Sequence, residues 1–154
     1  MQKPQRPTLG NILAILNLLT TAYFAVLLAI AVMYRRIGAN LNINNDFLYS
    51  FLAFGMEPPL LLTALVFCIA VTCLVFVFKS GAAGTTGVGL SLIPDLIMTV
   101  FCGLTIAGAL PWQYTQQPAS VIVPLITFAV LFSIKLFLMI KLVGTDYYPK
   151  AQQQ

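Results

Sequence analysis

The sequence has very few charged residues and no histidine. Lysine, arginine, aspartate and glutamate together make up 8% of the 154 residues, and only four of these side chains are acidic. Because soluble domains carry about 25% charged residues, this composition excludes an ordinary water-soluble protein. Histidine is a frequent general base and metal ligand, so its absence argues against a histidine-based catalytic site or zinc site.

Cysteine is also scarce, and its spacing matches no redox or metal motif. Cys68 and Cys73 are separated by four residues, whereas a thiol redox pair is separated by two. These two residues and Cys102 lie in apolar runs, where cysteine commonly packs as a small hydrophobic residue. The glycine-rich stretch 81–89, "GAAGTTGVG", lacks the ending of a phosphate-binding loop and is interpreted as a flexible cytosolic turn. We therefore expect no enzyme activity, no metal site and no cofactor.

Apolar residues dominate the sequence instead. They account for 60% of it, against about 45–50% in soluble domains. They form four runs, each long enough for a helix to cross a bilayer, at residues 12–33, 58–78, 88–110 and 120–140. In lipid only helices and closed barrels satisfy the backbone, and these runs lack the alternation of barrel strands. We therefore predict an all-α integral membrane protein in which residues 1–154 form one four-helix bundle.

The first run has an alternative interpretation as a signal peptide. Lys3 and Arg6 precede it, and Ala29-Ile30-Ala31 resembles a cleavage site. However, the uncharged run 12–33 is longer than the apolar region of a signal peptide, which has about 7–15 residues. We therefore favour an uncleaved membrane anchor.

Basic residues are distributed unevenly between the two predicted sides of the membrane. The side with both chain ends and the second loop carries Lys3, Arg6, Lys79, Lys141 and Lys150. The opposite side carries only Arg35 and Arg36. The positive-inside rule therefore predicts that both termini are cytosolic. Aromatic residues at the predicted helix ends fit interfacial belts: Trp112, Tyr114, Tyr147 and Tyr148.

The net charge of +4 is spread along the membrane edges. This arrangement suits anionic lipid headgroups better than nucleic acid, so we expect the bilayer as a partner and no nucleic acid. The first loop contains an aromatic stretch, "FLYSFLAFGM" at residues 47–56. It is interpreted as an interfacial helix lying along the membrane surface, or alternatively as a docking surface for a partner.

Asp95 is one of only four acidic residues, yet it lies inside the third apolar run. Counting by fours through this run gives a series of small or polar residues: Ser91, Asp95, Thr99, Gly103 and Ala107. We expect these residues to form one stripe on a helix, since small residues at this spacing allow membrane helices to approach closely. A similar stripe in the first helix consists of Asn17, Thr21, Ala25 and Ala29. Asp95 is therefore predicted to point into the bundle.

A carboxylate inside a membrane needs a partner or a proton. Lys135 in the fourth run and Asp95 in the third lie roughly 8–11 Å from the same membrane boundary, at 1.5 Å of rise per residue. The two side chains can therefore form an ion pair that holds the helices in register, with Lys135 partly extended towards the interface. The alternative is an ion or proton site at Asp95.

Several of these features resemble a known family. They are the four-span outline with cytosolic termini, "LIP" at residues 92–94, Lys135 within the fourth helix and Tyr147-Tyr148 after it. This combination resembles the lysosomal-associated transmembrane family. The resemblance implies a non-enzymatic endosomal or lysosomal protein that binds other membrane proteins and influences their trafficking. The chain differs from that family in having no cysteine-rich N-terminal tail and no long proline-tyrosine tail, and MARVEL-type proteins share the same outline.

These observations favour an accessory, organising or trafficking protein that contacts other membrane proteins, or further copies of itself, through its helices. Its expected location is an endomembrane or lysosomal membrane, or the plasma membrane. The alternative function is a small oligomeric transporter or channel subunit in which Asp95 is the ion or proton site.

Overall fold

A computed structural model describes residues 8–38, 44–56, 58–78, 82–110 and 121–143, and within these ranges the chain forms helices and no strands. The helices are α1 (Thr8–Val32, continued by a π-helical turn at Met33–Ile37), α2 (Asp46–Met56), α3 (Leu60–Val77), α4 (Ala82–Leu90), α5 (Ile93–Ile106) and α6 (Ile122–Val143).

Four stretches of these helices are long and apolar enough to cross a membrane. They are Thr8–Ile37, Leu60–Val77, Thr86–Ile106 and Ile122–Leu142. The third stretch includes the end of α4 and all of α5, so this span consists of two helical pieces. The prediction of an all-helical protein with four candidate membrane helices is confirmed.

Several amide and hydroxyl side chains inside the spans donate to a carbonyl of their own helix. In α1, the Asn17 amide donates to the Leu13 carbonyl at 3.1 Å, and the Thr20 hydroxyl donates to the Leu16 carbonyl at 2.9 Å. Side chains of this type bond readily to the carbonyl one turn earlier. Because an unmet polar group is costly in hydrocarbon, this bonding allows α1 to carry polar residues without breaking the span.

The four spans form a closed arrangement in which α1 packs against α3 and α6, and α5 packs against the same two helices. Leu13, near the start of α1, shares a cluster with Leu138 and Leu142, near the end of α6. The two helices are therefore antiparallel. At the opposite end of the bundle, a larger cluster contains Phe24, Phe54, Val66, Phe101 and Phe128 among its buried residues.

Helix α2 corresponds to the aromatic stretch that the sequence places along the membrane surface. Phe47 and Leu48 in its first half are exposed, but its second half is buried. Phe54 is only 1% exposed, and its ring lies edge-on to Phe24 and Phe101. The prediction of a helix lying along the surface is therefore wrong for this half, because Phe54 inserts into the aromatic cluster of the bundle.

Side chains from neighbouring elements also hold the buried half of α2. They donate to three of its backbone carbonyls: Tyr23 to Phe51, Thr63 to Phe54 at 3.2 Å, and Arg35 to Met56 at 3.0 Å. The last carbonyls of a helix have no partner within the helix and need one elsewhere. These contacts satisfy two of them and fix α2 against the spans.

The glycine-rich stretch forms helix α4, so its interpretation as a flexible turn is wrong. An ideal Cβ at Gly87 would lie 2.6 Å from the Phe76 backbone, which is closer than a real side chain permits. Glycine has a low helix propensity, but here it allows α4 and α3 to touch backbone to backbone. This tertiary contact outweighs the local preference of the segment.

Several predictions concern residues outside the described ranges. They include the aromatic belts at Trp112, Tyr114, Tyr147 and Tyr148, and the charge asymmetry carried by Lys3, Arg6, Lys79 and Lys150.

Candidate functional site

The site begins with an interruption in the third span. Helix α4 ends at Leu90 and α5 begins at Ile93, with Pro94 at its second position. Because proline has no backbone N–H, the Leu90 carbonyl loses the donor that a continuous helix would provide. The Cys73 thiol of α3 donates to this carbonyl at 3.1 Å instead. The interruption is thus held in place by a neighbouring span.

Asp95 follows directly after the interruption, in the first turn of α5. The first turn of a helix carries a partial positive charge, which favours a carboxylate. Ser91, just before α5, is fully buried, and its hydroxyl donates to the Val88 carbonyl at 2.6 Å. The local sequence therefore places a carboxylate in the interior of the bundle, at the start of a helix.

Lys135 of α6 reaches this carboxylate. Its Nζ atom lies 2.6 Å from Asp95 Oδ2, and both side chains are 0% exposed. The same ammonium group donates to the Thr20 hydroxyl of α1 at 2.9 Å. The structure thus brings Asp95 and Lys135 together at one depth, as the helix positions in the sequence predict. Through Thr20 the ion pair also connects α5 and α6 to α1.

The structure differs from the sequence prediction in how deeply Lys135 is buried. The sequence predicts that this lysine extends partly towards the interface, but its side chain has no exposed surface. The reason is that its ammonium group finds two oxygens inside the bundle, on Asp95 and Thr20. Thr20 was not singled out in the sequence, although Asn17, Thr20 and Thr21 are the polar residues at helical spacing in the middle of α1.

The pair leaves hydrogen-bonding capacity unused. Asp95 Oδ1 is buried and accepts no hydrogen bond from the described residues. Oδ2, in contrast, lies 2.6 Å from the ammonium nitrogen and is paired with it. An ionised carboxylate can accept about four hydrogen bonds, and an ammonium group can donate three. Asp95 therefore retains one oxygen able to accept a proton or a hydrogen bond.

The predicted stripe on the third span is only partly correct. Ser91 and Asp95 are buried, and the hydroxyl of partly buried Thr99 donates to the Asp95 carbonyl at 2.8 Å. Gly103, however, has no atom within 4 Å of an ideal Cβ, and Ala107 is exposed at the C-cap of α5. The prediction that these two residues pack inside the bundle is wrong.

Helix geometry explains this error. Four residues advance by slightly more than one turn of 3.6 residues, so each step of four rotates the position by about 40°. Four such steps separate Ser91 from Ala107 and place them about 160° apart on a continuous helix. The buried positions of α5 follow a mixed spacing of three and four instead: Pro94, Asp95, Met98, Phe101, Cys102 and Thr105.

The stripe in α1 divides in the same way. Asn17 and Thr21 are buried, and the Thr21 hydroxyl lies 2.8 Å from the Asn17 carbonyl and 3.2 Å from the Ala70 carbonyl of α3. These two residues therefore lie on the packed face, as predicted. Ala25 and Ala29, further along the same series, are exposed on the outer face of α1.

In the described part of the chain, no three acidic, histidine or cysteine side chains are grouped closely enough to hold a metal ion. Comparison of the chain with known protein families, with characterised proteins and with solved structures finds no match. The resemblance to the lysosomal-associated transmembrane family therefore depends on the short motifs quoted above.

Proposed function

We propose that this chain is a non-enzymatic four-span membrane protein that acts as an accessory, organising or trafficking partner of other membrane proteins. In this proposal the helices themselves make the contacts, either with other proteins or with further copies of the chain. The segments that the sequence leaves between the spans are too short for a separate soluble domain, which favours partners within the bilayer.

The observation that carries this proposal is the outward position of Gly103. Gly103 is partly buried, but an ideal Cβ on it would meet none of the described residues, and glycine weakens a helix by about 1 kcal/mol relative to alanine. In membranes, small residues allow another helix to approach closely. Gly103 and Ala107 on α5, like Ala25 and Ala29 on α1, present small residues four apart on the outside of the bundle.

The buried ion pair supports the same interpretation. Asp95 and Lys135 neutralise each other inside the bundle, so neither charge is available to a partner at the outer surface. The exposed positions of α5 around Gly103 are apolar and include Leu96, Val100 and Leu104. Such a surface suits lipid or a second membrane helix.

We further propose that both termini face the cytosol and that the protein resides in an endomembrane or lysosomal membrane, or in the plasma membrane. The basic residues on the terminal side support the orientation. In addition, Arg35, one of the two basic residues on the opposite side, donates to the Met56 carbonyl and so also serves to hold α2.

Gly103→Leu tests the proposal. Since an ideal Cβ at this position meets none of the described residues within 4 Å, we expect thermal stability in detergent to change little, while association with native membrane partners or with a second copy is lost. Crosslinking in native membranes, followed by quantitative mass spectrometry, measures the association.

The matched control is Val75→Leu, which adds bulk at an exposed position of a different span, α3. This variant should keep every crosslinked product. If both variants crosslink like the wild type, helix contact through Gly103 is excluded. If Gly103→Leu loses thermal stability, the residue serves the interior of the bundle instead.

A further inference from the structure

We propose that Asp95 is a proton-binding site whose built-in counter-cation, Lys135, withdraws when the proton arrives. This inference goes beyond the partner-binding role and does not depend on it. It starts from two observations in the bundle interior: Asp95 Oδ1 accepts no hydrogen bond from the described residues, and the ammonium group beside it lies 2.6 Å from Oδ2.

The chemistry of the site favours a proton over a metal cation. Metal cations such as Ca²⁺ and Mg²⁺ require about six or more oxygen ligands, whereas a proton requires one. The described residues offer one free carboxylate oxygen here, and the nearby Thr20 hydroxyl already accepts from Lys135. The ammonium group opposes every added positive charge, a proton included, but a proton needs no further ligands, and the added charge is offset once Lys135 withdraws.

Charge balance links the proton to Lys135. Binding forms one O–H bond at Oδ1 and converts the carboxylate into a neutral carboxyl group, so the ion pair loses its attraction. An unpaired ammonium group in a membrane interior is costly. Lys135 lies seven residues before Leu142, at the end of its span, which corresponds to about 10 Å of helix. The flexible stem of a lysine can cover much of that distance and bring its charge towards the interface.

Of the two routes along α6 from the pair to the membrane surface, the one towards the end of α6 is the shorter. On the opposite side lies the aromatic cluster of Phe24, Phe54, Phe101 and Phe128, into which α2 inserts. Towards the end of α6 the pair is followed by a smaller cluster that contains Leu138 and Leu142. A proton and the withdrawing ammonium group would therefore use the side on which α1 begins and α6 ends.

Few other titratable groups lie near the pair. Among the described residues, α3 contributes the Cys73 thiol, which is bonded to the Leu90 carbonyl, and α6 contributes Lys135 itself. The face of α1 contributes Asn17, Thr20 and Thr21, which do not titrate. The acidic residue of α2, Asp46, is exposed at the far end of that helix. A carboxyl signal from the bundle interior can thus be assigned to Asp95.

Infrared spectroscopy of the protein in lipid nanodiscs tests the inference. The pH is lowered from about 8 to about 4, which is close to the ordinary pKa of an aspartate side chain. We expect the carbonyl band of a protonated carboxyl group to appear during this titration and to be absent from Asp95→Asn/Lys135→Met. This double variant leaves neither charge unpaired, which preserves the fold. In Lys135→Met the band should be present at every pH, because the counter-cation is gone.

The movement of Lys135 has a separate readout. The ¹⁵N resonance of its ammonium group, assigned by its loss in Lys135→Met, should change with the same midpoint as the carboxyl band. Lys141, exposed on the same helix, should show no change at that midpoint. A carboxylate that stays ionised throughout the titration overturns the proposal, as does a carboxyl band without a change at Lys135. Loss of partner crosslinking in Gly103→Leu leaves this result untouched.

Discussion

Asp95 and Lys135 show why a membrane protein with so little charge buries two charged residues. Each alone would be costly in the bundle, and together they form a neutral pair at 2.6 Å that also reaches Thr20 on a third helix. Such a pair contributes little net stability compared with apolar residues, because both groups lose their water. Its structural effect is to define the relative positions of α1, α5 and α6.

Removing one partner of the pair should therefore cost more than removing both. We expect Asp95→Asn, which leaves the ammonium group unpaired, to destabilise the protein by up to about 3–5 kcal/mol. Lys135→Met should cost less because Asp95 can take up a proton, and the double variant should be nearly neutral. Thermal aggregation in detergent, measured for all four proteins of the cycle, gives the coupling. Ile140→Met at an exposed position of α6 is the control and should change stability by less than about 0.5 kcal/mol. Purely additive effects of the two substitutions would contradict the pairing.

Among the helices, the third span depends most on its neighbours. Its first piece, α4, is rich in glycine and has little helix propensity of its own. It forms because Gly87 lies directly against the backbone of α3 at Phe76. Its second piece, α5, starts after an interruption where Cys73, also on α3, supplies the missing donor. Helix α3 therefore supports both pieces and, through them, the position of Asp95.

Two glycines in this span provide a matched test of that support. Gly87→Ala places a Cβ 2.6 Å from the Phe76 backbone, so α4 must move away from α3 and we expect a loss of about 1–3 kcal/mol. Gly89→Ala meets nothing within 4 Å and should be neutral, or stabilising by up to about 1 kcal/mol, because alanine is the better helix former. Thermal unfolding in detergent compares them. Equal stability of the two variants would exclude close packing of α4 on α3.

The whole molecule has a polar layer between two apolar clusters of different size. The larger, aromatic cluster includes α2 and lies towards the end of α1, whereas the smaller cluster surrounds Leu13 near its start. The span from Thr8 to Ile37 has 30 residues and is about 45 Å long, which exceeds the ~30 Å of hydrocarbon in a bilayer. Its last turns therefore reach beyond the hydrocarbon, or the helix tilts.

Orientation is the prediction that concerns the molecule as a whole. Small epitope tags at Met1 and at Gln154 should both be accessible from the cytosolic side, because more basic residues lie on the terminal side. Protease protection in sealed vesicles measures this, and a tag inserted after Asn42, in the first loop, is the internal control that should be protected. A protected tag at either terminus would contradict the proposed orientation.

The amino-acid sequence by itself determined the four spans and the depth of Asp95 and Lys135. Both depend on local properties, since hydropathy sums over about 20 neighbouring residues and depth follows from rise per residue. A lysine and an aspartate at equal depth on adjacent antiparallel helices have a strong reason to meet, because no water is present to solvate either one. The sequence was therefore sufficient for this pairing.

Only the tertiary structure decided which helix faces are inside. The four-residue spacing could not show that Gly103 faces outward while Gly87 and Gly55 lie against the backbone of a neighbouring helix. A glycine has no side chain whose polarity or size would indicate its surroundings. The burial of Phe54 depends on the space between Phe24 and Phe101, and the hydrogen bond from Lys135 to Thr20 joins residues 115 positions apart. These contacts arise from the rotation of each helix about its axis, which is set by packing against neighbouring helices rather than by hydropathy.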